Sequence, residues 1–154
     1  MRGVYRARVK ITGVTTAKTL LYLTSSSSKP IEIYSARITD YNEDTSEQIL
    51  AELNRIATLG TPTATTITPK PTEEGSAAFG GTCKGNVTAS EPTYDGEGDQ
   101  ISDGGANKLG GWEYVPLPEE RPIIAPSDSV GLRLIDAIAN SSGLIAEIVF
   151  REIG

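Results

Sequence analysis

The chain has no histidine and a single cysteine, and each scarcity excludes chemistry. Without histidine it lacks the commonest general base, the usual proton shuttle and the commonest zinc ligand. One cysteine makes neither an intrachain disulfide nor a Cys-rich metal site. That residue, Cys83, sits in Gly80-Gly-Thr-Cys-Lys-Gly-Asn86. With no histidine to activate it, it reads as a small strand residue rather than a nucleophile. Aromatic residues make up only 6% of the chain. No segment approaches the length of a membrane span. The opening Met1-Arg-Gly-Val-Tyr-Arg6 has no apolar h-region, so no signal peptide is expected. The sequons Asn86-Val-Thr88 and Asn140-Ser-Ser142 are discounted with it. Positive charge is also short. The net charge is −6, with no Lys/Arg cluster, which disfavours nucleic acid and an anionic membrane surface as partners. Nucleophile-elbow, P-loop and dinucleotide-binding motifs are missing. Gly104-Gly105 and Gly110-Gly111 precede no helix that would cradle a phosphate.

What is present suits many short strands joined by turns. The 154 residues fit one domain spanning 1–154, rich in Thr, Ser, Gly and Pro. Val4 to Thr12 alternates with period two: Tyr5, Ala7, Val9 and Ile11 share one face, and Arg6, Arg8 and Lys10 share the other. Further strands are expected at Ala17 to Thr24, Ile31 to Thr39, Thr82 to Thr88, Gly111 to Leu117, Ser129 to Ala139 and Gly143 to Ile153. Residues 91–111, dense in Gly and Asp, read as one long irregular loop. The segment 46–58 reads two ways. Thr45 and Gln48 stand at capping-box spacing and Gly60 suits a helix end, yet Ile49, Ala51 and Leu53 alternate as in a strand. With about eight or nine strands and no βα alternation, the fold class is an all-β antiparallel sandwich, jelly-roll or related Greek key.

Each candidate site competes with a plain structural role. Asp95-Gly-Glu-Gly-Asp99, with Asp103 beyond it, starts like a calcium loop. Gln100 then stands where the turn glycine belongs and Ala106 where the bidentate Glu belongs, so neither metal nor cofactor is expected. Glu119 and Glu120 are adjacent and point apart in an extended segment, which does not make an acid–base pair. No catalytic residue is identified, and the chain is not expected to be an enzyme. The Arg6, Arg8, Lys10 stripe is a candidate contact for an acidic partner, and Trp112 with Tyr114 a candidate stacking platform or protein contact. The strand around Leu20–Leu23 and the last strand are apolar on both faces, whereas a sandwich strand needs only one such face. Leu21, Leu23, Ile145 and Val149 are therefore the candidate interface of a homo-oligomer, with a trimer favoured.

The run Tyr5-Arg-Ala-Arg-Val-Lys-Ile-Thr-Gly-Val-Thr-Thr-Ala-Lys-Thr-Leu-Leu-Tyr-Leu-Thr24 resembles small virion proteins of tailed bacteriophages. So do Asn54-Arg-Ile-Ala-Thr-Leu-Gly-Thr-Pro-Thr63, Gly110-Gly-Trp-Glu-Tyr-Val-Pro-Leu-Pro-Glu-Glu-Arg121, Ala125-Pro-Ser-Asp-Ser-Val-Gly-Leu-Arg-Leu134 and Ile148-Val-Phe-Arg-Glu-Ile-Gly154. The similarity covers most of the chain outside residues 70–108. It implies a jelly-roll auxiliary protein of the particle, of the head decoration or cement type. Such a protein is made in the host cytoplasm, sits on the capsid surface as a trimer and has the major capsid protein as partner. It also implies that 46–58 is a strand. The competing expectation is a receptor- or glycan-binding module of a phage fibre or tail, using the 91–111 loop and Trp112.

Overall fold

A computed structural model describes residues 3–42 and 45–154. The fold is all-β, as expected: two antiparallel sheets pack face to face. The strands are β1 (Val4–Val14), β2 (Lys18–Thr24), β3 (Ile31–Asp40), β4 (Gln48–Thr58), β5 (Thr63–Thr66), β6 (Lys70–Pro71), β7 (Thr82–Ala89), β8 (Thr93–Tyr94), β9 (Ser102–Asn107), β10 (Trp112–Tyr114), β11 (Ile123–Ile124), β12 (Ser129–Leu134) and β13 (Ser142–Glu152). The first sheet runs β10-β3-β13-β1-β6, with β11 also on β3; the second runs β5-β7-β2-β12-β4-β8, with β9 also on β4. Removing β5 to β8 leaves β1-β13-β3-β10 facing β2-β12-β4-β9. That is the interleaved strand order of an eight-stranded jelly roll. Residues 59–101 are then an insertion between β4 and β9, and it lengthens both sheets beyond β1 and β2.

Alternation decides which side chains enter the core. Tyr5, Ala7, Val9 and Ile11 of β1 are buried against the second sheet, while Arg6, Arg8 and Lys10 are exposed. Of the segment 46–58, Gln48–Thr58 forms a strand despite the helical signals, because Ile49, Ala51 and Leu53 all reach the core when extended. Each fully buried Leu or Ile contributes about 1.5–3 kcal/mol, far more than helix propensity at these positions.

Three expectations need correction. Residues 91–111 are not one irregular loop. They contain β8 and β9, and β9 pairs with β4 from Gln48↔Asn107 to Leu53↔Ser102. Its Ser-Asp-Gly-Gly-Ala-Asn sequence hides a strand because an edge strand is held mainly by its backbone. The strand expected over Gly111–Leu117 is only Trp112–Tyr114, since Pro116 and Pro118 have no N–H to extend the pairing. β12 ends at Leu134, well short of Ala139.

A buried polar cluster and one close packing contact secure the sandwich. Lys108 is fully buried, its ammonium 2.8 Å from Ser142 Oγ and 3.4 Å from Glu47 Oε2. Glu47 also accepts hydrogen bonds from the Ala139 and Asn140 N–H groups and the Asn140 amide. Desolvation acts to raise the Glu47 pKa. The two backbone donors, Lys108 and the Asn140 side chain together outweigh it and hold the carboxyl below its ordinary value. On the second sheet, Gly131 lies beneath Tyr94, where a Cβ would overlap the phenol hydroxyl.

Two outcomes follow. A carboxylate depressed by folding stabilises the fold above its unfolded pKa, and loses that contribution as pH falls through its folded pKa. The melting-temperature gap between wild type and Glu47→Gln is therefore widest at neutral pH and closes as pH drops below the ordinary value of 4.5. Gly131→Ala forces Tyr94 off its seat and costs about 1–3 kcal/mol in urea unfolding.

Candidate binding face

The two sheets present very different outer faces. The second sheet is covered by the chain's own 91–100 segment. Glu91 accepts from the Thr19 N–H at 3.1 Å and from Thr19 Oγ1 at 2.6 Å. Tyr94 is buried, with its hydroxyl 2.8 Å from Thr19 Oγ1. The Arg133 guanidinium stacks 4.0 Å from the Tyr94 ring centroid and donates to Glu52 Oε2 at 2.7 Å and 2.8 Å through Nη2 and Nε. Asn54 donates to Glu52 Oε1 at 2.6 Å and to the Asp95 carbonyl at 3.1 Å. Burial pushes the Tyr94 phenol pKa up, opposed by its bond with Thr19 and the charge of Arg133. Thr19 and Asn54 are buried polar groups that this segment satisfies, so it is part of the wall rather than a free loop.

This settles where the doubly apolar strand goes. Leu21 and Leu23 are not an exposed interface. They pair with Leu132 and Val130 on the inner face and have no exposed surface. Tyr22, on the other face opposite Gly131 and Lys84, is buried within the same chain. Trp112 is also corrected. At 7% exposure it belongs to the core, and Tyr114 packs half-buried against the same cluster. Neither forms an open platform.

The outer face of the first sheet has no such cover. The registers place its outward residues in rows: Glu113, Arg37, Glu147 and Arg8; Ser35, Val149, Arg6 and Lys70; Thr39, Ile145 and Lys10. Arg151 continues the pattern opposite Glu32. Among the described residues, six cations thus share this face with three carboxylates, in a molecule whose net charge is −6. Glu147 is the hinge of the arrangement. Its carboxylate lies 3.0 Å from Arg37 Nε and 3.4 Å from Arg6 Nε, and is only 6% exposed, while the arginines are 50% and 56% exposed. One buried anion spreads two guanidinium groups flat across the sheet and leaves their donors facing outward. Ile145 and Val149, half-buried, form apolar strips beside it. Lys10 rests 4.3 Å from the Tyr41 ring centroid.

The structure therefore brings together Arg6, Arg8, Lys10, Ile145 and Val149 of the expected residues. Arg37, Lys70, Arg151 and Glu147 were missed. The only sequence sign of Glu147 is a lone carboxylate inside the apolar run Leu144 to Phe150. The acidic loop ends elsewhere. Glu52, Asp95, Glu97, Gln100 and Asp103 line a hollow of about 360 Å³ beside Arg133. Gln100 Oε1 accepts from the Gly98 N–H at 2.6 Å, and among the described residues no three acidic, Cys or His groups are placed to hold a metal ion.

These features define a class: a jelly-roll sandwich with one outer face sealed by its own insertion and the other open, flat and cationic. The chain matches no family model, no curated protein and no solved structure.

Glu147→Ala removes the shared counter-ion of Arg6 and Arg37. Because both arginines are half in water, the stability cost is about 1 kcal/mol in denaturant unfolding.

Proposed function

We propose that this chain is a structural virion protein of the head decoration or cement type, working as a homo-oligomer, with a trimer favoured, on the capsid surface. The observation that carries the reading is the open cationic face of the first sheet. It is a wide, flat surface with outward guanidinium groups and apolar strips, on an otherwise acidic molecule. Such a surface suits a broad acidic protein surface better than a small ligand, which needs a concave site. The resemblance of Tyr5 to Thr24 and of the other runs to small phage virion proteins supplies the setting, and the major capsid protein is the proposed partner. The receptor- or glycan-binding reading gains nothing from Trp112, whose ring is buried.

Co-sedimentation with expanded phage shells tests the proposal. Wild type pellets with shells, and its binding weakens steeply as salt is raised from low ionic strength. Arg6→Glu, Arg8→Glu and Lys10→Glu combined abolish binding while leaving the circular dichroism spectrum unchanged. Retention of binding by the triple variant, or no binding by wild type to any shell, overturns the reading.

A further inference from the structure

We infer that copies of this chain join edge to edge, the Pro116-Leu117-Pro118 arm of one seating in an apolar hollow formed by the 59–101 insertion of the next. This deepens the oligomeric half of the proposed function and rests on it.

The arm connects β10 to β11 along the outer edge of β3. It exposes Val115 and Leu117 at 63% each and Ile123 at 56%, three of the four large apolar side chains exposed among the described residues. Leu117 has extended backbone (φ −61°, ψ 154°) between two prolines, and a single 3₁₀ turn follows at Pro118–Glu120. An extended, proline-flanked leucine loses little conformational freedom on docking, the property used by proline-rich peptides that dock in aromatic-lined grooves. Three exposed apolar side chains grouped along one edge mark an interaction site, as singly scattered ones do not.

The hollow has the matching chemistry. It measures about 300 Å³ and is walled by Ile67, Pro69, Phe79 and Cys83, with Lys84 at its border. Phe79 is held in place by its contacts with Tyr5 and Phe150, at centroid distances of 5.7 Å and 4.8 Å. The Cys83 thiol is pushed up to about 12 by burial, so it serves as wall and not as nucleophile. Charge agrees as well. Leu117 is followed by the exposed pair Glu119 and Glu120, and the hollow borders Lys84.

Topology puts the two parts on opposite edges of the sandwich. The arm belongs to the β10/β11 edge, whereas the hollow lies where β5 leads into β6 beyond β1 and β7. One chain does not satisfy both halves itself. Successive copies do, in a head-to-tail contact that uses different surfaces on each partner and, where the rotation between neighbours closes, forms a ring.

Light scattering after size exclusion on the full chain tests this with two variants. Leu117→Asp spoils the arm, and Ala78→Trp, at an exposed position lining the hollow, fills it. Wild type is oligomeric at micromolar concentration. Each variant alone is a monomer with unchanged spectrum and melting temperature, an affinity loss of at least about tenfold. Mixed in equal amounts they form a one-to-one pair and nothing larger, because each still offers one intact half. Lys84→Glu weakens assembly in the same way without altering the apolar walls. A monomeric wild type overturns both this contact and the oligomeric half of the proposed function, but not shell docking. A stable wild-type oligomer that Leu117→Asp, Ala78→Trp and Lys84→Glu leave unchanged overturns this contact alone, as does failure of the two monomeric variants to pair.

Discussion

The pairing of the first long strand with the last is the constraint on which the rest depends. β1 and β13 run antiparallel from Val4↔Arg151 to Ile11↔Leu144, and β13 then pairs with β3 along its whole length. This joins residues separated by almost the entire chain and closes the jelly roll. It also sets the register. A slip of one residue would turn Ala146, Ile148 and Phe150 out to water and Glu147 into the core. The correct register instead places Glu147 between Arg8 and Arg37, opposite the inward apolar residues. The ladder that builds the core thus also builds the cationic face.

The insertion explains why the two outer faces differ. Sheets in a sandwich need one apolar face, and an outer face is either solvated or covered. On the second sheet, Tyr94, Arg133 and Glu52 form a stacked, hydrogen-bonded cover that satisfies the buried Asn54. Gly131 is what lets it sit so close, since any side chain there would occupy the space of the Tyr94 ring. On the first sheet the same insertion adds the short β6 at the edge and packs Phe79 against Tyr5 and Phe150, leaving the outer face uncovered. Covering one face and leaving the other open is a property of where residues 59–101 fold, not of overall composition.

Much of the fold was legible because it rests on alternation. β1 announced its buried and exposed faces residue by residue, and the all-β class followed from strand spacing without helices between. What stayed hidden depends on pairing across long sequence separations. Nothing local to Leu21 and Leu23 shows that they point inward, because Leu20 and Tyr22 are equally apolar; Leu20 joins the core at the irregularity of β2, and Thr19 beside it is covered by a segment some 70 residues away. β9 was hidden for a different reason: Gly104 and Gly105 make a poor strand on their own, and β4 supplies the pairing. The cationic face was legible only in its β1 third. Arg37 and Arg151 join Arg6 and Arg8 solely through the registers of β3 and β13.

The proposed surfaces do not compete, and this bears on how such a protein would work. The arm and the hollow occupy the two edges of the sandwich, while the cationic residues lie on the flat of the first sheet. Copies joined at their edges would keep their flat faces free to engage a common surface together. Each single face relies on half-exposed arginines, whose individual contacts are weak and screened by salt. Linked copies convert later docking events into intramolecular ones, which raises avidity by orders of magnitude without any new contact. A weak, flat, salt-sensitive face is then sufficient for tight binding to a repeating lattice, and insufficient for binding an isolated acidic protein. The overall negative charge would act in the same direction, since it disfavours adventitious association with nucleic acid and other polyanions while leaving the cationic face for the proposed partner.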